Sequence, residues 1–306
     1  MVNLSIIIPV FNEAANILPL QKELAIYCTQ LDYEVLFVDD GSTDNTLQQI
    51  EMLAQINPRY KCIALSRNFG HQNALMAGME HAKGEQVIIM DGDGQHPPAL
   101  IPALLQQLKN GFDLVQTKRI TTVNISGIKK ILACLFYWFI NAISDTKITP
   151  NVADFKAFNR KVLNGILQFK ERELFLRGLF SWIGFKSTTI AFDAPERRFG
   201  KTKYSFYKML RLALKGTTSF SFKPLRLALL IGSFISLSAF AFGVFALVEY
   251  FKGNTVPGWA SLIIAVMLLG GTQLLAIGLL GEYIASLFTE AKGRPRYLIN
   301  HKINMD

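Results

Sequence analysis

The sequence VIIMDGDGQ at residues 87–95 joins a short apolar run to two carboxylates spaced one residue apart, Asp91 and Asp93. Four consecutive apolar residues bounded by turn residues predict a buried strand. Gly92 and Gly94 allow the backbone to bend, so that both carboxylates can face one cation. A hard divalent ion held by one or two carboxylates is a common partner of a diphosphate. The alternative is an acidic turn that only ends a strand.

A second acidic turn ends an earlier apolar run, in the sequence LFVDDGS at residues 36–42. In open α/β sheets, ligands bind beyond the carboxyl ends of the strands. Two strand ends that both carry carboxylates therefore favour a shared nucleotide site over two unrelated turns.

Residues 1 to about 120 alternate short apolar runs with helical patterns. This order predicts an α/β fold with a mostly parallel, Rossmann-like sheet that is covered by helices on both faces. The glycine fingerprint of dinucleotide-binding folds is missing, which disfavours NAD. The predicted strands lie at 5–10, 33–38, 62–65, 87–90 and 113–117, and the predicted helices end near residues 30, 56, 82 and 109.

Two C-terminal stretches, residues 227–248 and 260–281, contain no charged side chain. At about 1.5 Å per residue, each is long enough to cross a hydrocarbon core of about 30 Å as a transmembrane helix. Basic residues flank the outer ends of both stretches, so the positive-inside rule places both termini in the cytoplasm. The prediction is a multi-pass protein of the inner (plasma) membrane with a cytoplasmic catalytic domain.

The formal net charge of +9 is concentrated before the first span, because residues 197–226 include many bases and no acid. Nucleic acid is one possible partner of such a run. Since the run leads directly into a predicted span, an anionic lipid surface is favoured instead, at about 1 kcal/mol per basic residue. We therefore expect no nucleic-acid partner.

Residues 131–143, ILACLFYWFINAI, follow Lys129 and Lys130 and are too few to span a bilayer. They predict an amphipathic helix at the membrane interface, with a buried core helix as the alternative. A second interfacial candidate runs from 205 to 215. The cysteines show no metal-ligand spacing, and a disulfide framework is not expected in a cytosolic domain. They are Cys28, Cys62 and Cys134.

An ordered set of motifs carries a family resemblance across nearly the whole chain. The motifs are SIIIPVFNE at 5–13, VDDGSTDNT at 38–46, SRNFGHQNAL at 66–75, DGDGQHPP at 91–98, ADF at 153–155, RGLFSWIGF at 177–185, RRFGKTKYS at 197–205, GTTSFSFKPLR at 216–226, GEYI at 281–284 and TEAKGRPRYLI at 289–299. This set resembles the inverting glycosyltransferases of the GT-A fold. Within them it is most similar to the polyprenyl-phosphate sugar transferases, which include bactoprenol glucosyltransferases and dolichyl-phosphate mannose synthases.

The resemblance implies roles for particular residues. Nucleotide binding falls to Pro9, Val10, Glu13, Asp39 and Asp40. By this resemblance, Asp91, Asp93 and Gln95 bind a metal ion, Mg²⁺ or Mn²⁺. The catalytic set is Asp91, Asp93 and Asp154. Contacts to lipid or donor phosphate fall to Arg119, Lys156, Arg177, Arg197, Arg198 and Lys203.

Two of these assignments have plainer alternatives, and one residue departs from the family pattern. Asp154 could be a helix-capping or salt-bridging acid, and the bases at 197–203 could be ordinary lipid-surface charges. The family usually has Arg at the position of Lys156. Lysine keeps the positive charge of arginine but lacks its bidentate hydrogen-bonding fork. Among the histidines, His96 is expected to order the turn before Pro97, whereas His71 and His81 are expected at the surface.

The predicted activity is the inverting transfer of a sugar, with glucose preferred, from a UDP-sugar to undecaprenyl phosphate at the cytoplasmic face. One alternative is the same chemistry with GDP-mannose, UDP-GlcNAc or a UDP-aminoarabinose type of donor. Another is a non-catalytic lipid-sugar membrane protein.

The predicted organisation is a nucleotide-sugar core at 1–120, an acceptor and interfacial part at 121–224, two spans within 225–288, and a basic tail at 289–306. A homo-oligomer, with a tetramer possible, is implied by the resemblance.

Overall fold

The computed structural model describes residues 2–120, 152–172, 175–193, 195, 223–253 and 258–305. These residues fall into two units. The first unit holds the described residues up to 195 together with 294–305, and the second holds 223–253 and 258–293.

An eight-stranded sheet forms the centre of the first unit, in the order β7-β5-β6-β4-β1-β2-β3-β8. The strands are β1 Leu4–Val10, β2 Tyr33–Asp39, β3 Tyr60–Leu65, β4 Gln86–Ile89, β5 Leu114–Arg119, β6 Val152–Asn159, β7 Ser187–Phe192 and β8 Ile299–Ile303. The helices of this unit are α1 Ala14–Tyr27, α2 Thr46–Ile56, α3 His71–His81, α4 Ile101–Lys109, α5 Arg160–Leu167 and α6 Leu176–Trp182.

Strands β1 to β4 make the parallel part of the sheet, in which β1 lies between β2 and β4, and β3 lies beyond β2. Every residue of β1 and β2 is buried, as expected for near-continuous apolar strands covered on both faces. The mostly parallel, Rossmann-like α/β fold is thereby confirmed, and the predicted strands and helices of residues 1–120 recur with small shifts at their ends.

Strand β6 lies between β4 and β5 and runs antiparallel to both. The C-terminal segment expected as a basic tail contributes β8, which pairs antiparallel with β3 at one end of the sheet. Neither strand was predicted. Both pair with strands that are distant in the chain, so no local turn signal marks them.

A buried ion pair joins β2 to β3 near the amino-terminal ends of these two strands. The Glu34 carboxylate accepts hydrogen bonds from the Ser5 hydroxyl at 2.5 Å and the Lys83 N–H at 2.8 Å, and Lys61 Nζ lies 2.5 Å from it. Burial raises the pKa of Glu34, but these partners outweigh burial and hold the pKa below its ordinary value. Glu34 therefore contributes stability above its unfolded pKa, and that stability is lost as the pH falls through its lowered folded pKa.

We expect Lys61→Met to lower the free energy of unfolding at neutral pH by about 3 kcal/mol, because it leaves a buried carboxylate without its counter-charge. The difference from wild type should shrink as the pH falls, since Glu34 then becomes protonated in both proteins. Chemical denaturation of the detergent-solubilised chain at several pH values measures both effects. Lys22→Met, at an exposed position of α1, is the matched control. Equal stability of the two variants at neutral pH would contradict the prediction.

The second unit contains the helices α7 Lys223–Phe251 and α8 Trp259–Ala291. Within them, Ala228–Phe245 and Ala265–Ala291 are long and apolar enough to cross a membrane, and neither stretch is buried inside the structure. Two apolar C-terminal helices were expected at these places. The expected interfacial helices at 131–143 and 205–215 lie outside the described residues.

Candidate active site

The carboxyl ends of β1, β2 and β4 meet at one edge of the sheet. The pairing sets Val10 opposite Asp39 and Ile7 opposite Ile89, so the acidic turns after β2 and β4 flank the end of β1. A side chain at Gly92 would place its Cβ 2.8 Å from a methyl carbon of Val10. Any larger residue at position 92 would force Val10 to shift, so the close approach of the two strand ends favours glycine there.

Asp39 and Asp40 are nearly fully buried at the end of β2. Asp40 accepts hydrogen bonds from the backbone N–H groups of Phe69 at 2.7 Å and Gly70 at 2.9 Å. Asp39 Oδ2 accepts from the Ser42 N–H at 3.0 Å, whereas Asp39 Oδ1 is buried without a hydrogen-bond partner in the described part of the chain. Burial raises the pKa of both carboxyls. A buried acceptor without a partner is costly, so Asp39 Oδ1 suits the N–H donor of a bound ligand.

The residues after β1 are tied to the same edge. The Asp40 N–H donates to the Val10 carbonyl at 2.9 Å, and the Glu13 N–H donates to the Thr46 hydroxyl at 2.9 Å. The structure thus brings the five predicted nucleotide-binding residues to neighbouring strand ends. Their individual contacts to a nucleotide stay predictions.

Hydrogen bonds between its own residues hold the turn after β4 in shape. Asp93 Oδ1 accepts the Gln95 N–H at 3.0 Å, and Gly94 takes a positive φ of 78° that favours glycine. His96 is fully buried, and its Nδ1 accepts the Asp91 N–H at 2.8 Å. Burial lowers the pKa of His96, which agrees with a neutral ring that accepts at Nδ1. The expectation that His96 orders this turn is confirmed.

Asp91 and Asp93 are predicted metal ligands, and their carboxylates are the ligand type that a hard divalent cation prefers. Among the residues described, no group of three or more histidine, cysteine or acidic side chains could hold a metal by itself. Mg²⁺ is often held by one or two carboxylates, with substrate phosphates and water completing its shell, and Mn²⁺ shares the preference for oxygen. Gln95 Oε1 accepts a hydrogen bond from Arg119 Nη1 at 3.3 Å. A third protein ligand at Gln95 stays a prediction.

Asp154, on β6, is the centre of a charged cluster. Its carboxylate accepts two hydrogen bonds from Arg177, from Nε at 2.9 Å and from Nη2 at 2.6 Å. Lys156 Nζ lies 3.5 Å from Asp154 Oδ1. Burial raises the pKa of Asp154, but the Arg177 hydrogen bonds and the Lys156 charge hold it far below its ordinary value. Asp154 is therefore an ionised carboxylate in a mainly positive setting.

Three of the predicted phosphate-binding residues lie in the described part of the chain. Arg119 lies beside the metal motif, with Nη2 3.4 Å from His96 Nε2. Arg177 is 41 % exposed and is bound to Asp154. Lys156 is only 1 % exposed, and its Nζ donates to the Ala153 carbonyl at 2.9 Å.

This geometry makes Lys156 a counter-charge of Asp154, and its predicted contact to a lipid phosphate finds no support here. Burial lowers the pKa of Lys156, although Asp154 opposes that effect. The other three predicted phosphate contacts lie outside the described residues. They are Arg197, Arg198 and Lys203.

His71 is exposed, as expected, but its ring also faces two carboxylates of the candidate site. Its Nε2 is 3.5 Å from Asp91 Oδ1 and 4.0 Å from Asp154 Oδ2, although the side chain is 40 % exposed. The signal that could have found it is topological. His71 follows the carboxyl end of β3, a parallel neighbour of β2, and such loops meet at the same edge of the sheet.

Comparisons with known proteins relate this chain to glycosyltransferases. Residues 5–167 match the family model described as glycosyl transferase family 2. The chain is 40% identical to an uncharacterized glycosyltransferase of Synechocystis sp., over 98% of this chain and 95% of the relative. It is 38% identical to the bactoprenol glucosyl transferase of Shigella phage SfV, over 98% of each chain. A solved structure of glucosyl-3-phosphoglycerate synthase from Mycobacterium tuberculosis, in complex with Mn²⁺, UDP and phosphoglyceric acid, has a TM-score of 0.49 and 17% identity, covering 71% of this chain and 76% of that chain.

The sheet, the acidic turns at its carboxyl edge and the full-length relatives together define a glycosyltransferase with a GT-A fold. The chain belongs to glycosyl transferase family 2.

Proposed function

We propose that this protein transfers a sugar, glucose first among candidates, from a UDP-sugar to a polyprenyl phosphate such as undecaprenyl phosphate, with inversion at the anomeric carbon. The observation that carries the proposal is the cluster at the sheet edge. Asp91, a predicted metal ligand for the donor diphosphate, and Asp154, which Arg177 and Lys156 surround with positive charge, both lie within 4.0 Å of one imidazole nitrogen. One cluster of side chains thus offers groups for two phosphorylated substrates.

The donor side is supported by the strand ends of β1 and β2. The buried Asp39 Oδ1, without a partner in the described chain, suits the imide N–H of a uracil base. Asp91 and Asp93 would hold Mg²⁺ or Mn²⁺, which when bound would offset the charge of the diphosphate. Arg119, beside Gln95, adds a further positive charge near the same turn.

The acceptor side is supported by relatives named as bactoprenol glucosyl transferases, which match nearly the full length of this chain. Two helices long and apolar enough to span a membrane are consistent with a lipid acceptor. We infer that the catalytic unit and both termini are cytoplasmic and that an anionic lipid surface is a partner. A homo-oligomer stays a prediction.

The proposed reaction asks for alignment more than for proton transfer. The second pKa of a phosphate monoester is about 6, so at neutral pH the acceptor already carries a nucleophilic oxygen. That oxygen would form a bond to the anomeric carbon while the bond to the UDP oxygen breaks, and UDP would leave with the electron pair. One such displacement inverts the anomeric centre. Asp154 would favour the positive charge that develops on the sugar ring, and Arg177 would help to hold the acceptor phosphate.

The test is UDP release by the purified chain in detergent with a short polyprenyl phosphate and a panel of sugar nucleotides. We expect release and a polyprenyl-phosphate-sugar product with UDP-glucose. EDTA should reduce turnover to near background, and added Mg²⁺ or Mn²⁺ should restore it. The unphosphorylated polyprenol is the matched control acceptor. UDP release that does not depend on the polyprenyl phosphate would contradict the acceptor, and turnover unaffected by EDTA would contradict the metal.

A further inference from the structure

The loop between β3 and α3 makes contacts that the reaction above does not use. It begins at the donor side, where both oxygens of Asp40 accept backbone N–H groups, from Phe69 and Gly70. Gly70 has a φ of 95°, and α3 begins at the next residue, His71. The buried carboxylate at the end of β2 therefore fixes the point from which the first turn of α3 projects.

The first two side chains of α3 both reach the acceptor side. His71 Nε2 lies between Asp91 Oδ1, at 3.5 Å, and Asp154 Oδ2, at 4.0 Å. Gln72 Oε1 accepts the backbone N–H of Leu176 at 2.9 Å. Leu176 is the first residue of α6, and its neighbour Arg177 holds Asp154 with two hydrogen bonds. Both contacts of α3 thus converge on Asp154, one directly and one through α6.

These contacts concern two carboxylates that come from different parts of the sheet. Asp91 follows β4, whereas Asp154 is on β6, which runs antiparallel to β4, and both carboxylates lie within 4.0 Å of the same imidazole nitrogen. A displacement reaction needs its partners aligned at about 3–3.5 Å, and an error of about 1 Å can cost about 10²-fold in rate. The separation of the donor and acceptor groups is therefore a quantity that the protein must control.

We propose that His71 and Gln72 are positioning residues that keep the acceptor-side group, Asp154 and α6, in fixed register with Asp91. His71 does so through its Nε2, which lies within 4.0 Å of both carboxylates. Gln72 does so through its hydrogen bond to the first residue of α6. This inference rests on the proposed transfer for its kinetic consequence, but the structural link it describes is independent of substrate identity.

The kinetic test compares His71→Ala, His71→Gln and Gln72→Ala with His81→Ala. His81 is on the last turn of the same helix, where its ring contacts the Ala77 carbonyl, outside the site. We expect His71→Ala to lower kcat by about 10- to 100-fold, the usual cost of losing a group that orients a metal or catalytic ligand. UDP affinity in the presence of Mn²⁺ should stay near that of wild type. His71→Gln keeps an N–H donor at a similar reach and should recover most of the loss.

A second readout needs no substrate. Hydrogen exchange of the peptide that covers residues 175–182 should quicken in Gln72→Ala, because the Leu176 N–H loses its acceptor, and it should be unchanged in His81→Ala. Unchanged exchange in Gln72→Ala would overturn the link to α6. The positioning role of His71 would be overturned if His71→Ala turned over like His81→Ala, if UDP affinity fell as much as kcat, or if His71→Gln were as impaired as His71→Ala.

The failure of the proposed function is distinguishable from the failure of this inference. If wild type released no UDP with any sugar nucleotide and polyprenyl phosphate, the proposed transfer would be wrong. The exchange measurement would still decide whether Gln72 holds α6.

Discussion

Asp93→Asn is expected to lower sugar transfer by about 10²- to 10³-fold, the usual effect of removing one group that stabilises charge in a transition state. The amide keeps an oxygen that can accept the Gln95 N–H, now made to Asp93 Oδ1 at 3.0 Å, so the turn after β4 should survive. The variant loses the negative charge that would attract a divalent cation. UDP release and thermal unfolding, measured on the same preparation, separate the two effects.

The matched control for Asp93→Asn is Asp32→Asn, the same change of charge at an exposed position just before the amino end of β2. This residue is at the opposite end of the strands from the candidate site. We expect the control to turn over like wild type. Transfer by Asp93→Asn at the rate of the control would remove the metal role proposed for Asp93.

Asp154→Asn is expected to impair both stability and transfer. The fully buried Lys156 would lose its counter-charge, and breaking a buried pair from one side costs about 3–5 kcal/mol of unfolding free energy. Arg177 would keep an oxygen acceptor but lose the charge that orders its guanidinium. Transfer should fall by about 10²-fold or more if the carboxylate stabilises the developing charge of the sugar.

The double variant Asp154→Asn with Lys156→Met separates the two roles of Asp154. It removes both members of the buried pair, so it should regain much of the stability lost in the single variant. Lys156→Met alone is the companion control. Transfer that stays low in the double variant would support a role for Asp154 in the reaction. Transfer that returns with stability would show that Asp154 serves only to neutralise Lys156, and the catalytic assignment would be wrong.

Much of the fold could be predicted because its signals are local. The apolar runs of β1, β2 and β4, the turn glycines after β4 and the helical patterns between strands are each read within a few residues. The two apolar stretches near the C-terminus are equally local. Since parallel strands end at a common edge, the same information also brought the acidic turns of Asp39 and Asp91 to one site.

The site was harder to predict where it depends on contacts between distant residues. Lys156 was expected at a phosphate, but the long-range antiparallel pairing of β6 with β4 buries it, beside Asp154 of the same strand. His71 is exposed as expected, but its position within 4.0 Å of both Asp91 and Asp154 was not predicted. No periodicity or motif spacing encodes such distances.

The sequence by itself determined the mostly parallel character of the core, the carboxylates at its edge and the two apolar helices, because each follows from backbone propensity and hydrophobic pattern over short spans. Only the tertiary structure decided which charges meet. The partners of Asp154 come from α3, β6 and α6, and their approach depends on how β6 pairs with β4 and on how α6 is held by Gln72. Packing and long-range pairing, rather than local pattern, therefore set the electrostatics of the site.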